Sequence, residues 1–244
     1  MGCMRPLVLC YHAVSDSWSH QLSVRPEAFE QLLRSLHRRG FRGVGTEAAL
    51  EGTHRGLHVT FDDAFRSVVN ALRILEELRV PATVFACAAY ADEGRPLDVP
   101  EVAVETQAYP EELSTMDWDE LRSIVERGVE IGSHTVSHPH LPELSDAEIE
   151  MELGDSRARL EDGLGRPCRF LAYPYGEHDA RVRASAQRAG YRAAFALAGS
   201  AVSRDPFALP RVDIYRRDNA LTTRLKTSVL RRPAAAFRQV VRPK

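Results

Sequence analysis

The sequence predicts a single-domain α/β protein built on a distorted or incomplete parallel (β/α) barrel. Short apolar, β-rich runs alternate with helical patterns almost to the end of the 244 residues. Most of those runs are continuously apolar, as parallel strands covered on both faces must be. Strands that alternate with helices build right-handed β-α-β units, and about eight strands with five or six helices suit a barrel, a doubly wound open sheet being the alternative.

Leu7–Tyr11 is the first such strand run. A helix over 26–39 follows, with Pro26 where a missing N–H costs nothing and Gly40 just past the end. Phe41–Gly45 and Leu57–Phe61 read as strands, 64–79 as a helix and Ala82–Ala88 as the next strand. Asp117 with Glu120, and Ser145 with Glu148, have the spacing of capping boxes and open helices over 117–127 and 145–163. The remaining strand runs are Val129–Ser133, Arg169–Tyr173, Ala193–Leu197 and Leu209–Ile214, with a helix over 179–189.

Two stretches break this rhythm. Residues 90–116 hold seven acids (Asp92, Glu93, Asp98, Glu101, Glu105, Glu111 and Glu112) against Arg95 alone. A loop of that length is expected to be functional or mobile. Residues 216–244 hold nine Lys or Arg against Asp218. The division is therefore a barrel over 1–215 and a basic tail or helix over 216–244. The tail reads either as a solvated helix packed on the barrel or as a peripheral contact with an anionic membrane.

Composition narrows the function classes. Hydrophobic residues at 44% and charged residues at 27% exclude collagen-like, coiled-coil and broadly disordered chains. A net charge of -2 leaves no nucleic-acid footprint. No apolar run reaches the roughly 18 residues of a membrane span, and the first apolar run is too short for a signal-peptide core. The opening Met1-Gly2-Cys3 resembles a myristoylation start, but Pro6 stands where Ser or Thr is required. Cys3, Cys10, Cys87 and Cys168 form no Cys-x-x-Cys pair and read as reduced thiols of a cytoplasmic protein.

Functional side chains of a parallel barrel gather at the C-terminal ends of its strands. Here those ends are Tyr11-His12, Phe61-Asp62-Asp63, Ser133-His134 through His138, Tyr173 through Gly176, and Pro210-Arg211. Two successive carboxylates are costly inside a core. Just past a strand, one can bind a metal and the other stay free as a base, although Asp63 also suits the N-cap of the helix over 64–79. His134 and His138, four apart, would share a face on a helical turn, which Pro139 keeps short. With Asp63 they form a His-His-carboxylate set that leaves positions open for water and substrate.

Thr60-Phe61-Asp62-Asp63-Ala64, His134-Thr135-Val136-Ser137-His138 and Phe170-Leu171-Ala172-Tyr173-Pro174-Tyr175-Gly176, in that order, resemble the motifs of the polysaccharide deacetylase family of carbohydrate esterases. The style is that of the poly-N-acetylglucosamine deacetylases, and the resemblance spans most of residues 7–214. It implies Asp62 as general base, and Asp63, His134 and His138 as ligands of a divalent metal. Zinc is the first expectation, with cobalt, nickel and manganese also compatible. The Tyr175 backbone N–H would help stabilise the oxyanion. Two positions depart from the pattern. Ala172 stands where many relatives carry Arg, so Arg211 is the candidate to orient Asp62. No histidine follows His178, where many relatives place a general acid, so His12 is the candidate acid. Trp18, in the loop after His12, is a candidate platform for a sugar face. The function these residues imply is N-deacetylation of an amino sugar, in a cytoplasmic protein that could lie against the inner leaflet. The alternatives are a deacylase of a non-sugar amide and a sugar-binding protein of the same fold without turnover.

Overall fold

A computed structural model describes residues 6–51, 55–197 and 205–228. The chain runs through β1 (Leu7–Tyr11), the short pair β2 (Ala13–Val14) and β3 (Ser23–Val24), and α1 (Pro26–Arg38). Next come β4 (Arg42–Gly43), α2 (Thr46–Glu51), β5 (Gly56–Phe61), α3 (Val69–Leu78) and β6 (Ala82–Ala86). An excursion with α4 (Ala103–Ala108) and α5 (Pro110–Leu113) leads to α6 (Trp118–Glu126), β7 (Glu130–Ser133) and α7 (Asp146–Leu164). The chain continues through β8 (Phe170–Ala172), α8 (Ala180–Arg188), β9 (Ala193–Leu197), β10 (Leu209–Asp213) and α9 (Ala220–Lys226).

Seven parallel strands form a ring in the order β1-β10-β9-β8-β7-β6-β5, closed by β5 pairing back onto β1 from Leu7–Leu57 to Tyr11–Phe61. The strand expected over 41–45 is reduced to β4, which pairs only with Gly56 and Leu57 and stays outside the ring. Both expected capping boxes form, at Asp117 with Glu120 and at Ser145 with Glu148. Side chains alternate between the two faces of each strand. The outward set, such as Leu9, Val59 and Leu171, meets Leu33 and Leu36 of α1, Leu72 of α3, Leu121 of α6, Leu153 of α7 and Val182 of α8.

The barrel interior is layered. Its middle is filled by Val8, Phe85, Phe170, Ala172, Ala193 and Phe195. Gly132 is small because the Phe85 ring lies 2.5 Å from where a Cβ would stand. Below that layer, at the strand starts, is a buried polar floor. The His58 Nδ1–H donates to the Val44 carbonyl at 2.9 Å, so its Nε2 accepts from the Thr83 hydroxyl at 2.9 Å. The Thr46 hydroxyl donates to Glu130.

Burial pushes His58 down to about 4, so it is neutral in the fold and takes a proton readily only when unfolded. Its stabilising effect is present above the unfolded value near 6.5 and is lost as pH falls toward 4. Glu130, pushed up by burial, acts in the opposite sense. Between pH 7 and pH 5 the parent is expected to lose about 2 kcal/mol more stability than His58→Gln. Urea unfolding at the two pH values checks this, and equal losses would remove His58 from the acid response.

The acidic stretch 90–116 is not a structureless loop. It holds α4, α5 and bridges from Pro96 to Ser114 and from Thr115 to Phe65. Leu97, Val99, Val102 and Leu113 bury themselves with Trp18, Phe65 and Tyr90 in a separate apolar cluster. The start of the tail is likewise built into the fold. Arg216 donates to the carbonyls of Ser15, Trp18 and Ser23, and Arg39 donates to Thr227. Lys226 pairs with Asp218. Residues 229–244, with Arg231, Arg232, Arg238, Arg242 and Lys244, lie outside the described residues, as do Met1-Gly2-Cys3. Cys10, Cys87 and Cys168 are buried free thiols. No helix among the described residues is long and apolar enough to cross a membrane.

Candidate active site

Asp62 continues β5 by one residue, its N–H donating to the Tyr11 carbonyl at 2.9 Å. The backbone then turns left-handed at Asp63 (φ 67°) and Ala64 (φ 53°), sending the two carboxyl groups different ways. Asp63 caps no helix: the next turn starts at Arg66 with Phe65 before it and no side-chain cap.

His134 extends β7 through an N–H bond to the Ala86 carbonyl at 2.8 Å. Its Nδ1–H donates to the Ala172 carbonyl at 2.8 Å, which fixes the tautomer and leaves Nε2 with a lone pair. His138 reaches the same place by a loop rather than the helical turn expected from its spacing. Thr135 (φ 71°) and His138 (φ 67°) are left-handed, and the Thr135 hydroxyl accepts the His138 N–H at 3.0 Å. Glu152 of α7 staples the loop, accepting the N–H groups of Val136 and Ser137 at 2.8 and 3.0 Å. Left-handed backbone without glycine is uncommon and is held only where surroundings demand it. Five such residues, Asp63, Ala64, Thr135, His138 and Tyr175, fall inside the three motifs.

The result is a convergence of three buried ligand atoms. Asp63 Oδ1 lies 3.6 Å from His134 Nε2 and 3.4 Å from His138 Nε2, and ligand atoms of all three residues fall within 4.8 Å of one another. Burial holds both imidazoles toward the neutral form. Burial, with the charge of Asp62, pushes Asp63 well above the usual carboxylate range. Asp63 Oδ1 and His138 Nδ1 are buried without a hydrogen-bond partner. Two neutral imidazoles around an unsatisfied carboxylate oxygen fit a divalent cation, which would answer that oxygen and accept both ring lone pairs. A nitrogen–oxygen set of this kind does not choose strongly among zinc, cobalt, nickel and manganese.

Asp62 faces a different partner. Arg211 on β10 grips it bidentately, Nη1 to Oδ1 at 2.6 Å and Nη2 to Oδ2 at 2.8 Å, and Nη1 also donates to the Thr60 hydroxyl at 3.1 Å. Arg211 is 0% exposed. Burial alone would raise the Asp62 carboxyl, but the Arg211 guanidinium, with His134, holds it well below the usual carboxylate range. Half-buried His12 follows β1 at the same rim. Burial pushes it down to about 4 against the pull of Asp62, with Arg211 and His134 adding to the fall.

Tyr175 is left-handed at φ 58°. Its ring stands edge-on to His138 at 4.7 Å and stacks on His140 at 3.9 Å, and its hydroxyl donates to Glu101 at 2.8 Å. His140 bridges Glu101 and Glu177 at 3.1 and 2.9 Å. This tie between the excursion and the rim was not visible in sequence, because Glu101 was one acid among seven. Trp18 is corrected by the structure. It is 1% exposed, with His20 stacked at 4.8 Å and Phe65 against its edge, so it offers no open face to a sugar.

The sequence profile of the polysaccharide deacetylase family matches residues 50–194, more than half of the chain, and spans Asp62, Asp63, His134, His138 and Tyr175. The chain belongs to the polysaccharide deacetylase family. Among its relatives, Bacillus subtilis YxkH is 24% identical over 217 residues, which is 85% of this chain and 70% of that one. A chitooligosaccharide deacetylase of Sinorhizobium fredii is 26% identical over 140 residues, 56% of this chain and 54% of the relative. The deacetylase PplD of Streptococcus pyogenes, whose structure contains acetate, superposes with a TM-score of 0.77 at 18% identity, over 93% of this chain and all of that one. At that identity the superposition establishes the deacetylase fold.

Proposed function

We propose that the protein is a metal-dependent hydrolase that removes the acetyl group from an N-acetylated amino sugar. The observation that carries this is the meeting of Asp63, His134 and His138 around one point, with Asp62 beside them in the grip of Arg211. The sugar class is supported by the matched chitooligosaccharide deacetylase. Asp63, His134 and His138 would hold the cation, which when bound polarises the acetyl carbonyl and acidifies water.

The chain's own groups supply the rest. Asp62 accepts the proton of the attacking water, since Arg211 keeps it ionised and aimed. The Tyr175 backbone N–H donates to the oxyanion that develops on the acetyl carbonyl. His12 protonates the departing amine. Burial favours its neutral form in the free pocket, so it must gain a proton before it can donate one.

His12→Ala is therefore expected to lower kcat by about 100-fold or more while leaving metal content and unfolding temperature unchanged. A fully active variant would move the acid to His140 or His178. The function itself is tested by acetate release from N-acetylglucosamine oligosaccharides with added zinc or cobalt, repeated after chelation. Metal-dependent release supports the reading. Tight sugar binding without release would make the chain a binding protein, and release only from a cyclic ureide or formamide would change the substrate class.

A further inference from the structure

One buried group of the pocket has no part in the chemistry above. Cys10 lies on β1, with Thr60 of β5 and Asp213 of β10 as its register partners. It sits in the ring wall between the strand that leads to Asp62 and the strand that carries Arg211. It lies two residues before His12, which follows the strand at the rim.

The Cys10 Sγ is 3.4 Å from Asp62 Oδ2 and is 1% exposed with its residue. Its other acceptor, the Tyr11 carbonyl, is farther at 3.9 Å. Burial pushes the thiol well up, so it keeps its proton and is a donor.

A carboxylate offers about four lone-pair sites, two on each oxygen. Arg211 occupies one on Oδ1 and one on Oδ2, and Cys10 occupies the second on Oδ2. One site remains, on Oδ1. We infer that Cys10 is a positioning residue: its thiol closes Oδ2 of Asp62 and leaves Oδ1 as the oxygen that takes the proton from the attacking water. This role rests on Asp62 being the base. Without the thiol, Oδ2 regains an open lone pair on the side of β1, and water can settle there out of line with the acetyl carbonyl. A misplaced proton acceptor lowers turnover without altering how substrate or metal is held.

The test compares Cys10→Ala, which removes the donor, with Cys10→Ser, which keeps one. Acetate release from an N-acetylglucosamine oligosaccharide with added zinc is followed, together with metal content. Cys10→Ala is expected to lower kcat at least tenfold at unchanged KM and metal content, and Cys10→Ser to recover most of that loss. In an Asp62→Asn background, Cys10→Ala is expected to have no further effect. Equal losses in the Ala and Ser variants, a loss that follows metal content, or a Cys10→Ala rate within twofold of the parent would overturn the role.

A readout independent of turnover is the Raman S–H stretching band assigned by its disappearance in Cys10→Ser. It is expected to shift on Asp62→Asn, because the acceptor loses its charge. An unmoved band in an active enzyme overturns the contact alone. A shifting band in a protein that releases no acetate overturns the hydrolase reading, and the role of Cys10 with it.

Discussion

Asp62→Asn is expected to lower kcat by about 100-fold to 10,000-fold, the range typical for loss of a general base. The metal is expected to stay bound, because Asp62 and Asp63 serve different partners. Asp63 Oδ1 faces the two histidines at 3.4 and 3.6 Å, whereas both Asp62 oxygens face Arg211. The asparagine keeps one oxygen for the guanidinium fork but cannot accept a proton from water. Turnover and metal content measured on one preparation decide it. A rate within tenfold of the parent would show that Asp62 is not the base. A parallel loss of metal would show that the two carboxylates share one role.

Arg211→Met is expected to cost about 3–5 kcal/mol of stability, the range for removing one partner of a buried ion pair. The cost arises because Asp62 stays behind, buried and without its counter-charge. Its carboxyl then rises, since burial is no longer outweighed by the guanidinium. The sign for activity follows. The base must be ionised to work, so the acid limb of the pH–rate profile is expected to move to higher pH. Urea unfolding and the pH dependence of kcat check the two halves separately. A stability loss below about 1 kcal/mol, with an unmoved acid limb, would reduce Arg211 to packing. Arg211→Lys should restore the charge but not the fork, because an ammonium cannot grip both oxygens in parallel.

Much of this protein is local and therefore open to reading in one dimension. The strand runs Leu7–Tyr11 and Ala193–Leu197 form as expected, because an unbroken apolar run has no use except between two covered faces. The capping boxes at Asp117 and Ser145 form because both partners lie within one turn. The residues that meet at the candidate cation site are picked out locally too, as two acids in succession past a strand and two histidines four apart, although each pair alone also fits an ordinary role, Asp63 as a helix cap among them.

What ring closure alone decided is which distant groups face one another. Arg211 meets Asp62 across 149 positions of sequence because β10 and β5 both flank β1. The thiol of Cys10 reaches Asp62 from the strand between them, and nothing in an apolar run marks one inward residue as the neighbour of a carboxylate. His138 meets His134 through left-handed turns at Thr135 and His138, which lack the glycine that would have announced them. Trp18 was misjudged because its burial comes from residues distant in sequence: it packs with Leu97, Val99, Val102 and Leu113 of the acidic stretch and with Phe65. Local propensity sets the elements, but burial and pairing are settled by strand order around the ring, which sequence spacing does not record.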